Sequence, residues 1–220
     1  MDDAPTEFDL ATLAATEFHE LKNQISELTF ALDEVGSRHP EAAPDLIRLR
    51  LDCRSIMERL VEILTLYKSG QQGLRLNVEA HSPSELIEEL VADCRGLAKN
   101  GVMIEAKTDK APPFAFFDRY LIHIAMLNAM HNALRFAKAR IAVGVEAQAD
   151  GLNFYVRDDS EGYPAHILEN QGRRPGRSST GTGLGLFFAQ TIARAHVNGD
   201  RRGELRLENR DGACFNLWLP

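Results

Sequence analysis

The feature that most constrains the fold of this chain is a glycine run, Gly-Thr-Gly-Leu-Gly-Leu at residues 181–186, followed directly by an apolar segment. Leu186, Ala189, Ile192 and Ala193 recur at helical spacing, which predicts a helix beginning at the end of the run. Uncovered backbone N–H groups and the positive end of a helix dipole favour an anion such as phosphate. The alternative is a glycine-rich turn before a packed helix, and the run alone does not distinguish the two.

Composition limits the class of protein. The 220 residues, 44% hydrophobic and 26% charged, allow one large domain or two small ones with real cores. The net charge of −7 argues against a nucleic-acid-binding protein. The three cysteines have no metal-ligand spacing, so we expect reduced thiols. No signal peptide and no apolar run of about 18 residues is found. We therefore expect a soluble, cytoplasmic protein without a membrane span.

Two amphipathic segments near the N-terminus predict an antiparallel helical hairpin. The first covers about residues 9–35 and the second about residues 44–69, with a break from Gly36 to Pro40. A single hairpin cannot bury both apolar stripes, so the pattern predicts a four-helix bundle made by two chains, and hence a homodimer. The stripes consist of Ala14, Phe18, Leu21, Ile25, Leu28, Leu32 and Val35, and of Leu46, Leu49, Cys53, Ile56, Leu60, Ile63 and Tyr67.

A polar, glycine-containing segment at residues 68–73 predicts a boundary between a hairpin domain, 1–72, and a second domain, 73–220. In the second domain, Ser82 to Glu85 form a capping box that predicts the start of a helix. Residues 159–180 lack periodicity and predict a loop. The fold class that follows is α+β, with an α/β sandwich of a mixed sheet and helices on one face. The predicted strands are 74–78, 102–106, 114–117, 140–146, 152–157, 205–208 and 213–219, and the predicted helices are 83–98, 118–137 and the one after the glycine run.

Polar residues in the second domain have the chemistry of a nucleotide site. Asn128 and Asn132 lie four residues apart and so share one face of an apolar helix. An amide oxygen is a competent Mg²⁺ ligand beside phosphates, and the alternative is an amide network that joins the helix to a loop. Asp158 leaves a predicted strand into a turn that contains Gly162. Its carboxylate is suited to an exocyclic amine such as that of adenine, or else it caps its own turn.

The order and spacing of these motifs resemble a known family. Asn132, residues 158–162 and residues 181–186 look like the N, G1 and G2 boxes of the GHKL (Bergerat) ATPase fold. Residues 203–220 are similar to the end of that fold in sensor histidine kinases. Residues 18–23, Phe-His-Glu-Leu-Lys-Asn, resemble the H-box of their dimerisation and phosphotransfer domain. The resemblance covers nearly the whole chain, and four motifs in the correct order form a specific signal.

The resemblance implies a role for each matching residue. His19 is the residue that accepts the phosphoryl group, and Glu20 orients the imidazole and takes its proton. Asn23 matches the residue that orients a water for hydrolysis of a receiver's acyl phosphate. Asn132 is the implied Mg²⁺ ligand and Asp158 the implied adenine ligand. The implied nucleotide-binding residues are Asn128, Asn132, Arg135, Asp158, Gly162, Gly181, Thr182, Gly183, Leu184 and Gly185.

The chain departs from the family pattern at several places. Ser160 stands where the first G1 glycine is usual, and if this residue needs a positive φ, the strain costs about 1 kcal/mol. Gln24 stands where a proline often follows the H-box, and the segment between the glycine boxes is short. The arginines of that segment either screen triphosphate charge or are solvated, and we hold both interpretations open. They are Arg173, Arg174 and Arg177.

The leading hypothesis is a histidine kinase without its own sensor segment. ATP and Mg²⁺ serve to phosphorylate His19, and the phosphoryl group passes to an aspartate of a response-regulator receiver domain. Asn23 indicates phosphatase activity as well. The input signal is expected from a separate sensor protein acting in trans. The alternative is a histidine phosphotransfer or adaptor protein with a degenerate ATPase domain. A different GHKL ATPase does not explain the hairpin that carries His19.

Overall fold

The computed structural model describes residues 10–39, 42–98, 101–175 and 183–220 of the chain. The chain divides into two compact units between Gln71 and Gln72. The first unit consists of two long helices, α1 (Leu10–Arg38) and α2 (Ala43–Gln72). Both lie where the heptad pattern predicts helices, and each ends three residues later than predicted.

The apolar side chains of the hairpin fall into a buried and an exposed set. Leu46 and Cys53 are only 7% and 6% exposed and lie inside the hairpin. Other members of the predicted stripes are between 41% and 51% exposed and recur every seven residues. The exposed set is Leu21, Leu28 and Val35 on α1, and Leu49, Ile56 and Ile63 on α2. Each helix therefore keeps an apolar stripe outside the core of its own chain.

The second unit is an α/β structure built around a mixed sheet. Its elements are β1 (Glu79–His81), α3 (Pro83–Arg95), β2 (Met103–Lys107), β3 (Ala115–Phe117), α4 (Arg119–Phe136), β4 (Arg140–Gln148), β5 (Gly151–Asp158), α5 (Ala165–Asn170), α6 (Gly185–Ala195), β6 (Val197–Asn198), β7 (Arg201–Arg202), β8 (Glu204–Asn209) and β9 (Ala213–Leu219). Within the described residues the main sheet has the order β2-β4-β5-β9-β8. Strands β2 and β4 are parallel and the other neighbours are antiparallel.

The core of this unit lies between the sheet and the helices. Phe117, Phe154, Phe188 and Phe215 are fully buried and come from β3, β5, α6 and β9. Helices α3, α4 and α6 pack against strands of the main sheet. Residues of α4 are buried on nearly all sides, as its apolar sequence predicts. The predicted sandwich with a mixed sheet is therefore confirmed.

The beginning of α4 is held by a network of buried polar groups. Asp118 is its N-cap, and its Oδ1 accepts a hydrogen bond from the backbone N–H of Leu121 at 3.0 Å. The other carboxylate oxygen accepts from the backbone N–H of Asn77 at 2.9 Å. The N–H of Asp118 itself donates to Nε2 of His196, just after α6, at 3.0 Å. This network fixes α4 and the end of α6 relative to each other.

Several sequence predictions about the second unit are wrong. Residues 74–78 form no strand, and the first strand is Glu79–His81. The reason is that the Asn77 N–H bonds to the cap of α4 instead of a neighbouring strand. Helix α3 ends at Arg95, three residues early, because Gly96 caps it. The predicted loop at 159–180 contains the short helix α5, and the β6–β7 pair was not predicted.

Two further observations concern membrane-spanning helices and the cysteines. None of the helices in the described ranges is sufficiently long and apolar to cross a membrane. Cys53, Cys94 and Cys214 are buried and are not joined by disulfides. Burial raises the pKa of the Cys214 thiol, so this side chain is uncharged and unreactive at neutral pH.

Candidate functional site

Two segments that carry predicted site residues of the second unit lie close to the second half of α4 or to the residues that follow it. A β-carbon added to Gly185, the first residue of α6, would lie only 3.3 Å from Cγ of Asn128. At the end of β5, the Asp159 carboxylate accepts hydrogen bonds from the backbone N–H groups of Lys138, at 2.8 Å, and Ala139, at 3.0 Å. The start of α6 and the turn after β5 are thus both held against α4 or the residues that follow it.

The asparagines of α4 lie on the side of that helix that meets α6. Asn128 is half-buried against Gly185, and Asn132, one turn later, is exposed. An exposed Asn132 does not fit the alternative of a buried amide network. Its amide oxygen is a hard ligand that fits Mg²⁺ shared with phosphate. Arg135 is also exposed on this helix and places its guanidinium over the ring of Phe136, 5.2 Å from the ring centre.

The described part of the glycine run leads into the N-terminus of α6. Gly183 has a φ of +66°, a conformation that favours glycine. Leu184 occupies the N-cap position, and its apolar side chain makes no cap hydrogen bond. The N-terminal end of a helix presents backbone N–H groups and the positive end of the helix dipole, an arrangement that suits an anionic ligand. Gly181 and Thr182 lie outside the described residues.

The turn after β5 is ordered by its own side chains. Oδ1 of Asp158 accepts a hydrogen bond from the Ser160 N–H at 2.8 Å, and Oγ of Ser160 accepts from the Gly162 N–H at 3.1 Å. Asp158 therefore does cap its own turn, but only through Oδ1, and a carboxylate retains acceptor capacity after one such bond. Gly162 has a φ of +88°. Among the described residues other than glycine, positive φ occurs only at Gln171 and Asp211, so the expected strain at Ser160 is absent.

Asn209, the last residue of β8, contacts the turn after β5, and this contact was not predicted from the sequence. Its Oδ1 accepts a hydrogen bond from the Tyr163 N–H at 2.8 Å, and its Nδ2 donates to the Tyr163 carbonyl at 3.0 Å. A β-carbon on Gly162 would lie 2.6 Å from Cγ of Asn209. The two partners are 46 residues apart in the chain, so no local pattern indicates the contact.

The segment that follows α5 packs against α6 and forms hydrogen bonds with the edge strand β8. Gln171 pairs with the backbone of Leu207, accepting from its N–H at 2.7 Å and donating to its carbonyl at 2.9 Å. Gly172 packs directly on the carbonyl of Leu186, in the first turn of α6. Arg173 and Arg174 come next and are exposed, whereas Arg177 lies outside the described residues. Exposure fits both interpretations of these arginines.

Two titratable side chains of this region, Asp159 and Tyr163, have shifted pKa values. Hydrogen bonds from the backbone of Ala139 and its neighbours hold the pKa of Asp159 below its usual range. Burial, together with the charge of Asp158, raises the pKa of the Tyr163 phenol well above its usual range. Tyr163 is therefore a neutral side chain beside the turn. The Asp159 carboxylate is occupied by backbone N–H groups, whereas Asp158 accepts a hydrogen bond from the Ser160 N–H through Oδ1.

The residues of the predicted H-box lie on α1. The backbone of His19 is helical, and the placement of its side chain is outside what the structure describes. Glu20 and Asn23 are both exposed on this helix. The spacing of the three residues places Asn23 one helical turn after His19.

A separate group of titratable side chains joins α3 to α4. Nε2 of His123 lies 3.5 Å from Oδ2 of Asp93. Glu89, one turn before Asp93, offers a carboxylate within 4.8 Å of these atoms and is paired with the guanidinium of Arg119. Because Glu89 is already paired with Arg119, we interpret the group as a network of polar contacts between the two helices.

Comparison with known proteins agrees with this geometry. Residues 117–220 match the family model described as histidine kinase-, DNA gyrase B-, and HSP90-like ATPase. The match begins just before α4 and includes the asparagines, the turn after β5 and the glycine run.

Curated relatives extend the similarity to the first unit. The chain is 24% identical to the sensor histidine kinase CpxA of Escherichia coli strain K12 over 213 residues, which cover 92% of this chain and 45% of CpxA. It is 27% identical to the sensor histidine kinase RegB of Cereibacter sphaeroides over 208 residues, covering 84% of this chain and 42% of RegB. The chain thus spans less than half the length of these relatives.

Solved structures share the fold. The full-length structure of ShkA in complex with AMPPNP matches with a TM-score of 0.63 and 18% identity, covering 91% of this chain and 44% of ShkA. The Acinetobacter baumannii histidine kinase AdeS matches with a TM-score of 0.61 and 18% identity, covering 86% of this chain and 94% of AdeS. The catalytic domain of the histidine kinase ThkA matches with a TM-score of 0.58 and 22% identity, covering 66% of this chain and 98% of that domain. At these identities the matches establish the fold alone.

Proposed function

Because this chain belongs to the sensor histidine kinase family, we propose that its second unit binds ATP with Mg²⁺ and phosphorylates His19 on α1. The observation that carries the proposal is the packing of Gly185 against Asn128. This contact brings the glycine-rich beginning of α6 to the asparagine side of α4, so that anion-binding N–H groups and amide oxygens meet at one place.

Each part of the nucleotide has a proposed partner in the second unit. The N-terminus of α6, with Gly183, Leu184 and Gly185, binds the phosphates. Asn132 is the Mg²⁺ ligand, and the cation neutralises phosphate charge. Asp158 accepts a hydrogen bond from the exocyclic amine of adenine through the acceptor capacity that Ser160 does not use.

The remaining predicted residues complete the nucleotide site. Asn128 aligns the glycine run, Gly162 shapes the adenine side, and Arg135 places positive charge near the phosphates. Gly181 and Thr182 are proposed phosphate ligands on the resemblance alone. Because little covalent chemistry falls to the protein in phosphoryl transfer, positioning and charge neutralisation provide most of the catalysis.

The reacting group is the imidazole of His19. One ring nitrogen attacks the γ-phosphorus of ATP, a P–N bond forms, and the P–O bond to ADP breaks so that ADP leaves with the electron pair. Glu20, next along α1 and exposed, orients the ring and accepts the proton from the other nitrogen. The phosphoryl group then passes to an aspartate carboxylate of a response-regulator receiver domain.

Asn23 has a proposed role in the phosphatase reaction, which removes the phosphoryl group from the receiver domain. It is exposed one turn after His19, where its amide is accessible to a docked receiver domain. There the amide orients a water molecule that hydrolyses the acyl phosphate of the receiver. The same helix thereby supports both kinase and phosphatase activity.

The hairpin is proposed to form a four-helix bundle with a second copy of the chain. The supporting observation is the apolar stripe that recurs every seven residues on each helix and is 41% to 51% exposed in the single chain. A partner hairpin covers such stripes by knobs-into-holes packing. The dimer is therefore the proposed working form.

One argument for the alternative, a phosphotransfer protein with a degenerate ATPase domain, is weakened. That alternative gained support from Ser160 in place of a glycine. Since Ser160 adopts no positive φ and its hydroxyl accepts a hydrogen bond from the Gly162 N–H, the substitution is compatible with an ordered turn.

The deciding experiment is incubation of the chain with γ-labelled ATP and Mg²⁺. We expect acid-labile, base-stable label on the wild type and none on His19→Ala. Asn132→Ala should lose most of the label, because the cation is no longer held beside the phosphates. His39→Ala is the matched control, since His39 is an exposed histidine just after α1, and it should be labelled like the wild type.

Two outcomes contradict the proposal. Label that persists on His19→Ala would place the phosphoryl group elsewhere. A wild-type chain that binds no ATP in a titration with Mg²⁺ would exclude the kinase and leave the phosphotransfer alternative.

A further inference from the structure

We propose that Asn209 is a positioning residue for adenine recognition. It acts through the backbone of Gly162 and Tyr163 and holds the turn in which the Asp158 carboxylate faces the exocyclic amine. The inference rests on the proposed function, because it requires that Asp158 contacts adenine.

The first step of the argument is the two-way pairing between Asn209 and Tyr163. The carboxamide accepts from the Tyr163 N–H at 2.8 Å and donates to the Tyr163 carbonyl at 3.0 Å. The pairing resembles that of a neighbouring strand residue, at a point where β5 has ended. A carboxamide is suited to this because it carries an acceptor and a donor side by side.

The second step is a chain of hydrogen bonds from this pairing to Asp158. Gly162, next to the paired residue, donates its N–H to Oγ of Ser160 at 3.1 Å. Ser160 in turn donates its own N–H to Oδ1 of Asp158 at 2.8 Å. Any shift of the Gly162–Tyr163 backbone is thus transmitted to the carboxylate through two bonds.

The third step is the close packing of the turn on the β8–β9 hairpin. A β-carbon on Gly162 would lie 2.6 Å from Cγ of Asn209, so the turn rests directly on the carboxamide. On the other side, Gly212 packs against the carbonyl of Asp158 and has a φ of +141°. The turn is held at both of its ends by this hairpin, and only Asn209 does so through a side chain that a substitution can remove.

The test measures binding of ATP and of inosine triphosphate, which carries an oxygen in place of the exocyclic amine, in the presence of Mg²⁺. Asn209→Ala should weaken ATP binding about 3- to 10-fold, the equivalent of about one net hydrogen bond. Inosine triphosphate binding should change less, so the preference for ATP declines. In an Asp158→Ala background, Asn209→Ala should alter ATP affinity by less than about twofold, as expected for residues acting as one unit.

Two further variants separate positioning from general loss of structure. Asn216→Ala removes an asparagine of β9 whose hydrogen bonds go to Asn153 and Arg206, and it should leave the preference for ATP unchanged. If Asn209→Ala does not fold, Asn209→Asp keeps an acceptor for the Tyr163 N–H, but it replaces the donor by a negatively charged oxygen that faces the Tyr163 carbonyl. It should therefore also show a loss of the same preference.

Failure of the proposed function and failure of this inference alone give different results. A wild-type chain that binds neither nucleotide overturns the proposed function, and this inference with it. A wild type that prefers ATP, together with folded Asn209→Ala and Asn209→Asp proteins of unchanged affinity and preference, overturns this inference alone.

Discussion

The imidazole of His196 accepts a hydrogen bond from the backbone N–H of Asp118, with 3.0 Å between Nε2 and the backbone nitrogen. The other ring nitrogen, Nδ1, lies 2.9 Å from the carbonyl of Ile192 and donates to it. The two bonds together require the neutral ring with its proton on Nδ1. Protonation of Nε2 would break the bond that joins the end of α6 to the beginning of α4.

Stability is therefore expected to depend on the pH through His196. Burial lowers the pKa of this imidazole below its ordinary value. The unfolded chain, with a histidine pKa of about 6.5, then binds more protons than the folded chain below that pH. The free energy of unfolding should fall as the pH drops below about 6.5 and level off below the folded pKa. Urea unfolding at pH 7.5 and 5.5 should show this loss, and His196→Gln should reduce it. His166→Gln, at an exposed position in α5, should leave the pH dependence unchanged.

Asp159 should also contribute stability that is lost on acidification, but at a lower pH than for His196. Its pKa is held low by backbone N–H groups, first that of Ala139, so the contribution is complete above the unfolded value of about 3.9 and is lost as the pH falls through the folded pKa. We expect Asp159→Asn to be less stable than the wild type at pH 7, with the difference shrinking on acidification. Urea unfolding across this range measures it. The exposed Asp200→Asn is the control, and equal effects of both variants would contradict the assignment.

Gly162→Ala should destabilise the second unit for two reasons. A φ of +88° is unfavourable for alanine by about 1–2 kcal/mol, and the new β-carbon would meet Asn209. Gly101→Ala is the matched control, because Gly101 has a φ of +96° and no atom within 4 Å of the added carbon. In urea unfolding, Gly162→Ala should lose about 1–3 kcal/mol more than Gly101→Ala. Equal losses would mean that the contact with Asn209 is not tight.

Gln190→Leu should destabilise the protein although it increases apolar surface in a buried position. Oε1 of Gln190 accepts a hydrogen bond from the buried Leu205 N–H at 2.6 Å. A leucine leaves this N–H without an acceptor, at a cost of about 1–3 kcal/mol. The control, Gln148→Leu at the exposed end of β4, should change the free energy of unfolding by less than about 0.5 kcal/mol. If Gln190→Leu were as stable as the wild type, this hydrogen bond would contribute little to the free energy of unfolding.

Leu28→Asp should dissociate the proposed dimer. Leu28 is 51% exposed and lies in the seven-residue series of α1, where a charge would be buried on association. Phe30→Asp is the matched control, because Phe30 is 72% exposed on the same helix but lies outside the series. Sedimentation velocity should find the wild type and Phe30→Asp as dimers and Leu28→Asp as a monomer. A monomeric wild type would contradict the proposed bundle.

Features of the chain that depend on neighbouring residues were predictable from its sequence. The seven-residue apolar pattern located both helices of the hairpin, and Ser82 accepts the N–H of Glu85 at 3.4 Å, as the capping box predicts. The mixed sheet followed from the order of strands and helices. Asp158 and Gly185 could be proposed as site residues from the sequence because glycines and a carboxylate after a strand form compact motifs.

Features that depend on distant residues were not predictable. Residues 74–78 alternate like a strand, but the Asn77 N–H bonds to Asp118, 41 residues away. Asn209 reaches the turn across 46 residues through a side chain, which leaves no periodic signal. Helix α5 has six residues and is too short to show a helical period. Whether Ser160 needs a positive φ could not be predicted, because the sequence does not show that Gly162 takes the left-handed conformation.

On the edge of β8 that faces away from β9, side chains form hydrogen bonds with the backbone. Gln190 takes the N–H of Leu205, and Gln171 pairs with both backbone groups of Leu207. A strand from another molecule therefore finds these hydrogen-bonding positions occupied. This edge of the main sheet is thus unsuited to recruiting a foreign strand, whether from a peptide partner or during aggregation.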